Sequence, residues 1–171
     1  MNFDLSYLLN LLLSLLTALF VSAPAIPPAS VPAETVAVVK SVVDGDTIIV
    51  SQDGKEETVR YIGIDTPEPR REGAPECGSH EATEYNRQLV AGKTVRLVAD
   101  AEDRDKYERL LRYVYVGEGD DAVFVNRVMV RDGLATPLTI KPNDTYADDF
   151  RSDAATAKSE GRGNWALCPD F

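Results

Sequence analysis

An apolar run from Leu5 to Val21 opens the chain, and from Val36 onward the apolar residues fall into short β-branched groups and then into helical spacing. "TVAVVKSVV" and "TIIV" are β-branched runs separated by Asp44-Gly45-Asp46. "SQDGKEE" supplies an Asp-Gly hairpin turn before "TVRYIGI". "TVRLVA" and "RYVYV" read as two further strands. Between them and the first three, Ser79 is placed to cap a helix through "HEATEYNRQLVA", which Gly92 ends. "AVFVNRVMVRDG" reads as an apolar-faced helix ended by Gly133, and a third helix is predicted from Tyr146 to about Ser159. Five strands interleaved with helices in this order predict an α+β, mainly β fold: a five-stranded OB-fold barrel with about three packed helices. Closure into a barrel removes the exposed sheet edges.

The N-terminal run divides the chain. At about 17 residues it is short for a spanning helix and long for a signal-peptide core. Ala23-Pro24-Ala25 has the small-x-small form of a cleavage site, yet Asp4 precedes the run and the first basic residue is Lys40. Residues 1–25 are therefore expected to be a signal peptide or membrane anchor, and 26–35 a Pro/Ala-rich linker. Residues 36–171 are left for the folded domain. A buried core helix is the alternative for Leu5 to Val21. Export, to the outside or to the outer face of the membrane, is the expected destination. Cys77 and Cys168 belong to no CxxC pair. In an exported protein they most simply form one disulfide; otherwise they are two buried thiols.

Charge narrows the chemistry. With 18 basic and 28 acidic residues the net charge is −10, opposite to that of a protein living on non-specific contacts with nucleic acid. A small cationic site remains compatible with it. A single histidine, His80, read as a surface residue, argues against His-rich zinc sites and Ser-His-Asp chemistry. Carboxylates, arginines and a hard cation are left. "VVDGDTIIV" is not an EF-hand loop, since Ile48 and Lys55 fall where oxygen ligands belong. Asp44 reads equally as a turn residue, while Asp46 needs a partner from elsewhere to bind a metal. "RYIGIDTPE" can supply it: Pro67 stops the strand, leaving Asp65, Thr66 and Glu68 at a loop mouth. Arg60 lies five residues before Asp65, an odd spacing that puts the two on opposite faces of a regular strand. In "EDRDKYERLLRYVYV" most charges read as a solvated loop, but Arg109 sits where loop becomes strand. Two arginines beside a carboxylate-bound cation suit a phosphodiester, with Glu68 free to orient or deprotonate water.

The ordered set "DGDT", "R....DTPE", "DKYxR", "VN..MVRDGLA" and "KPN" resembles the staphylococcal nuclease (thermonuclease) family from Val36 to roughly Trp165. The resemblance implies an OB-fold and a Ca²⁺-dependent nuclease on DNA and RNA, preferring single strands, hydrolysing the 5′ P–O bond to leave 3′-phosphates. It implies Asp46, Asp65 and the Thr66 carbonyl as calcium ligands. Glu68 would act on water, and Arg60 and Arg109 on the phosphate. Lys106 and Tyr107 match positions near a terminal phosphate. "EC" before the first helix and a C-terminal "W..C" match exported relatives and support a Cys77–Cys168 bridge. A monomer is expected, with membrane attachment through Leu5 to Val21 where that segment is retained as an anchor. A binding module on the same barrel is the alternative function, but all six matched site positions keep the needed residue types. Departures from the family's best-known member are Glu108 in place of glycine, "PLTIK" where tyrosines stand before "KPN", and the acidic surface. They imply weaker substrate binding and a steeper loss of rate with salt at low calcium.

Overall fold

In the computed structural model, residues 34–69 and 73–171 are described. Strand β1 (Glu34–Val42) enters two residues before the expected domain boundary and is followed by β2 (Thr47–Gln52) and β3 (Lys55–Tyr61). The turn between β2 and β3 is the expected one: Asp53 and Gly54 both take positive φ, 51° and 78°, matching the twist of the flanking strands. Strand β5 (Thr94–Val98) pairs antiparallel with β1, and β6 (Leu110–Val116) with β5. Parallel pairing of β3 with β6 then closes the five strands into a barrel. The apolar residues that marked these strands fill it: Val39, Ile48, Val50, Val59, Val95, Leu97 and Val114 are all buried.

Short elements depart from the reading of the sequence. Helix α1 (Ser79–Val90) takes Gly78, at φ 82°, as its N-cap, and Ser79 is buried inside the first turn. Ser79 therefore does not cap the helix. A Cβ on Gly78 would lie 2.3 Å from Asn164, so the glycine serves both the left-handed turn and the close approach. The expected helix over "AVFVNRVMVRDG" splits: Val123–Phe124 forms strand β7, paired with β6, and helix α2 covers only Val125–Arg131. Stacking of Phe124 on Tyr115, ring centroids 4.5 Å apart, favours the extended form at that point. Two further short strands, β4 (Ile64–Asp65) and β8 (Thr136–Pro137), pair with each other. Helix α3 (Ala147–Glu160) follows close to its expected limits, and α4 (Asn164–Leu167) ends the fold. Cys168 is joined to Cys77 by a disulfide.

Three buried side chains tie the helices to what the barrel presents. Asn86 of α1 accepts from Tyr61 Oη at 2.9 Å and donates to the Asp44 carbonyl at 2.9 Å, fixing the β1–β2 loop. Asn126 of α2 accepts from Val114 N–H and donates to the Ile62 carbonyl, both at 2.9 Å, fixing the turn after β3. Phe150 of α3 packs under Gly63, where a Cβ would approach its ring to 2.5 Å. Among the described residues no helix is long and apolar enough to cross a membrane. The expected segment from Leu5 to Val21, and the linker up to residue 33, lie outside the described residues.

Candidate active site

Asp46 stands at the entry to β2 with 1 % of its surface exposed. A carboxylate there must be supplied with donors. Thr66 gives two, N–H at 2.9 Å and Oγ1 at 3.0 Å to Oδ2, and Thr47 Oγ1 donates to Oδ1 at 3.1 Å. Arg60 Nη1 adds an ion pair at 2.9 Å. Burial still pushes the Asp46 carboxyl up to about 7, with Arg60 and the Thr66 bonds opposing and the nearby Asp44 reinforcing. Asp44 is a turn residue, its Oδ1 accepting from Asp46 N–H at 3.0 Å.

Regular alternation sets Arg60 and Asp65 on opposite faces, yet Arg60 Nη2 lies 2.7 Å from Asp65 Oδ1. The strand is not continuous between them. Ile62 and Gly63 form a turn, Gly63 at φ 81°, which restarts the chain as β4 in a new direction. Arg60 closes that turn itself, donating through Nη1 to the carbonyls of Tyr61 at 3.2 Å and Ile64 at 2.9 Å. One guanidinium thus bridges a buried carboxylate just before β2 and a half-exposed one from β4.

This donor set fits a hard cation. Two carboxylates face one positive group, and the buried one is held at a desolvation cost that a nearby cation would relieve. Among the described residues no three His, Cys, Asp or Glu side chains are grouped so as to hold a metal. A cation here would accordingly rest on Asp46, Asp65 and backbone or water oxygens, a set for Ca²⁺ or Mg²⁺ rather than zinc. Thr66, buried against Asp46, is the residue whose backbone stands at that point.

Glu68 is exposed. Partial shielding of its carboxyl and the charge of Asp44 raise its pKa; Arg60 opposes, and Asp65 and Glu76 add to the rise. Its N–H donates to Glu76 Oε2 at 3.1 Å, and its carbonyl accepts from Glu76 N–H at 3.1 Å.

Arg109 arrives from the other side of the barrel seam, at the start of β6. Asp105 aims it: Oδ2 accepts from Arg109 Nε at 2.7 Å, and Oδ1 accepts the N–H groups of Tyr107 at 2.9 Å and Arg109 at 3.0 Å. Against burial, which would raise it, those bonds hold the Asp105 carboxyl below its ordinary range. A cavity of about 380 Å³ opens beside it, lined by Arg60, Arg109, Lys106 and Tyr107 with Leu138 and Ile140 as an apolar wall. Tyr107 is 67 % exposed, with Lys106 Nζ 4.9 Å and Arg109 Cζ 5.6 Å from its ring centroid. Glu108 does not line the cavity; its backbone sits at φ 64° with the carbonyl accepting from Arg104 Nη1 at 2.7 Å. Asp105 and Glu76 were not among the residues singled out in the sequence. An aspartate four residues before an arginine at a turn was the signal for the first. Glu76 falls in the quoted "EC" pair, but its contact with Glu68 depends on the return of the chain and not on that motif.

The fold and site can be set beside known proteins. Residues 58–167 match the family described as Staphylococcal nuclease homologue. The chain is 39 % identical over 127 residues to "Endonuclease YncB" of Bacillus subtilis (strain 168), covering 72 % of this chain and 58 % of that protein. It is 40 % identical over 127 residues to "SPbeta prophage-derived endonuclease YokF" of the same organism, covering 72 % of this chain and 42 % of that one. "Thermonuclease" of Staphylococcus intermedius is 41 % identical over 110 residues, 64 % of this chain and 63 % of its own length. The matched part therefore spans less than two thirds of each of these relatives.

Proposed function

Because this chain belongs to the staphylococcal nuclease family, we propose that it is a Ca²⁺-dependent nuclease that hydrolyses DNA and RNA at the 5′ P–O bond to leave 3′-phosphates. The observation that carries this reading is the position of Arg60. Its guanidinium joins Asp46 to Asp65, and it lines the same cavity as Arg109. Carboxylates for a cation and two forks for a phosphate thereby meet at one residue.

In this reading Asp46, Asp65 and the Thr66 carbonyl hold the cation. The cation, when bound, neutralises phosphate charge and acts as a Lewis acid. Arg60 and Arg109 donate paired hydrogen bonds to the non-bridging oxygens and stabilise the charge that grows in the transition state. Asp105 keeps Arg109 directed at the cavity, so less reorganisation accompanies binding. Glu68 accepts the proton of the attacking water, a task for which a pKa above the ordinary carboxylate range is an advantage. Tyr107 and Lys106 at the cavity rim offer a ring face and a cation to a nucleotide. Single strands suit a cavity walled by Leu138 and Ile140 better than a rigid duplex. The acidic surface keeps affinity for long polyanions low. The same reading places the protein outside the cytoplasm, where a Cys77–Cys168 bridge persists.

Hydrolysis of denatured DNA by the purified chain, with Ca²⁺ and with a chelator, tests the proposal. Cleavage that needs calcium and vanishes in an Arg60→Ala, Glu68→Ala double variant is the expected result. Calcium and nucleotide binding without turnover in the wild-type chain overturns the enzyme and leaves a binding module.

A further inference from the structure

Glu68 sits between two prolines, Pro67 and Pro69. Pro67 is buried, which fixes the chain on the side of Thr66, and Pro69 confines Glu68 to extended backbone. The freedom left to the carboxylate is a swing of the chain beyond it. Two hydrogen bonds oppose that swing: Glu68 N–H to Glu76 Oε2 and Glu76 N–H to the Glu68 carbonyl, both 3.1 Å. They hold positions 68 and 76 against each other.

Glu76 is itself held from the far end of the chain. Cys77, next to it, is bonded to Cys168. Ser79 N–H donates to the Glu76 carbonyl at 3.1 Å, starting α1. Asn164, fully buried, lies against Gly78, donates its own N–H to the Gly133 carbonyl at 2.8 Å and accepts from Cys168 N–H at 2.8 Å. Neither cysteine belongs to the buried cluster that fills the barrel. The bridge therefore braces the loop rather than the core.

We propose that Glu76 is a positioning residue for Glu68, and that the Cys77–Cys168 disulfide is the brace that keeps Glu76 in place. The proposal rests on the reading of Glu68 as the carboxylate that acts on water. It makes turnover dependent on the oxidised bridge and on an acceptor at position 76, while Arg60 and Arg109 come from other elements and Thr66 is held independently by Asp46 and the buried Pro67. The bond to Glu68 N–H can be made by an amide oxygen, so glutamine at position 76 keeps the acceptor while removing the charge.

Four proteins decide it: the wild-type chain, Glu76→Ala, Glu76→Gln, and Cys77→Ser combined with Cys168→Ser. Expected for Glu76→Ala is a fall in kcat of about tenfold with KM within twofold, as for a misplaced catalytic group. Glu76→Gln recovers most of the rate, and the double serine variant falls in the same direction as Glu76→Ala. Amide exchange supplies a readout independent of turnover. The flanking prolines have no N–H, so Glu68 gives the one amide signal of positions 67–69, and it exchanges faster in Glu76→Ala and in the double serine variant. An unchanged kcat in Glu76→Ala, an equal loss in Glu76→Gln, or unaltered exchange at Glu68 overturns the proposal. A wild-type chain that cleaves nothing overturns the nuclease reading instead, and the exchange rate then judges the clamp by itself.

Discussion

Truncating Arg60 to alanine withdraws the guanidinium that lies 2.9 Å from Asp46 Oδ2 and 2.7 Å from Asp65 Oδ1. The two partners respond differently because one is 1 % exposed and the other 50 %. Removing one member of a buried pair costs roughly 3–5 kcal/mol when the other stays charged. The exposed pair contributes no more than about 1 kcal/mol. Arg60 also donates to the carbonyls of Tyr61 and Ile64, and loss of those bonds adds about 1–2 kcal/mol at any pH.

The large contribution depends on the protonation of Asp46. Its folded pKa, about 7, is above its ordinary 3.8, so the folded state binds a proton that the unfolded chain has released. The resulting stability is fully present below 3.8 and is lost as pH rises through about 7. Without Arg60 the folded pKa rises further, and the loss continues to higher pH in the variant after it has ended in the wild type. The difference between the two proteins therefore grows above pH 7, by at most about 1.4 kcal/mol per pH unit. We expect Arg60→Ala to be destabilised by about 2 kcal/mol near pH 5.5 and by about 4 kcal/mol near pH 8.5. Urea unfolding with a chelator present measures both. Saturating calcium at pH 8.5 should narrow the gap, since a cation beside Asp46 replaces the missing charge. Equal destabilisation at the two pH values, or less than about 1 kcal/mol at the higher one, refutes the electrostatic account of the site.

Glu108→Gly relieves a left-handed backbone, φ 64°, at a side chain that does not line the cavity. After the entropy lost to a freer unfolded chain, a gain of up to about 1 kcal/mol is expected, seen as a Tm rise of about 2–4 °C; a lower Tm contradicts it. Asn126→Ala removes one acceptor from Val114 N–H and two donations, to the carbonyls of Ile62 and Arg112. It should cost about 3 kcal/mol in urea unfolding, and a cost below about 1 kcal/mol would show that water replaces the amide. Calcium binding near pH 6.5 should release a proton from Asp46, measurable by calorimetry in buffers of different ionisation heat. Affinity should weaken as pH falls below about 7; buffer-independent heats would place the cation elsewhere.

The barrel was legible because its strands are β-branched runs broken by Asp-Gly turns, a pattern that packing enforces locally. The split of "AVFVNRVMVRDG" into β7 and α2 was not, since its apolar spacing satisfies a helix and the stacking of Phe124 on Tyr115 comes from a strand elsewhere in sequence. For the same reason alternation misplaced Arg60 relative to Asp65. Period two holds only while a strand continues, and the turn at Ile62-Gly63 ends it. The residue types at Asp46, Asp65, Arg60 and Arg109 pointed to phosphate chemistry, and their meeting followed from the family resemblance rather than from spacing. The bridge between Cys77 and Cys168 was expected, whereas the loop it braces was not visible until Glu76 and Glu68 were seen paired.

The parallel seam between β3 and β6 bears on the order in which the molecule assembles. The β1–β2–β3 meander is built from neighbours in sequence and already carries Asp46 and Arg60. The seam instead joins Val59 to Leu110 and Arg60 to Leu111, partners separated by α1 and β5. Contacts of that separation form late, because the intervening chain must be ordered first. A nascent chain therefore acquires Asp46 and Arg60 early, but fixes Asp65 through β8 and brings Arg109 to the same cavity only on closure. The cavity that Arg60 and Arg109 line together comes into being with the finished barrel.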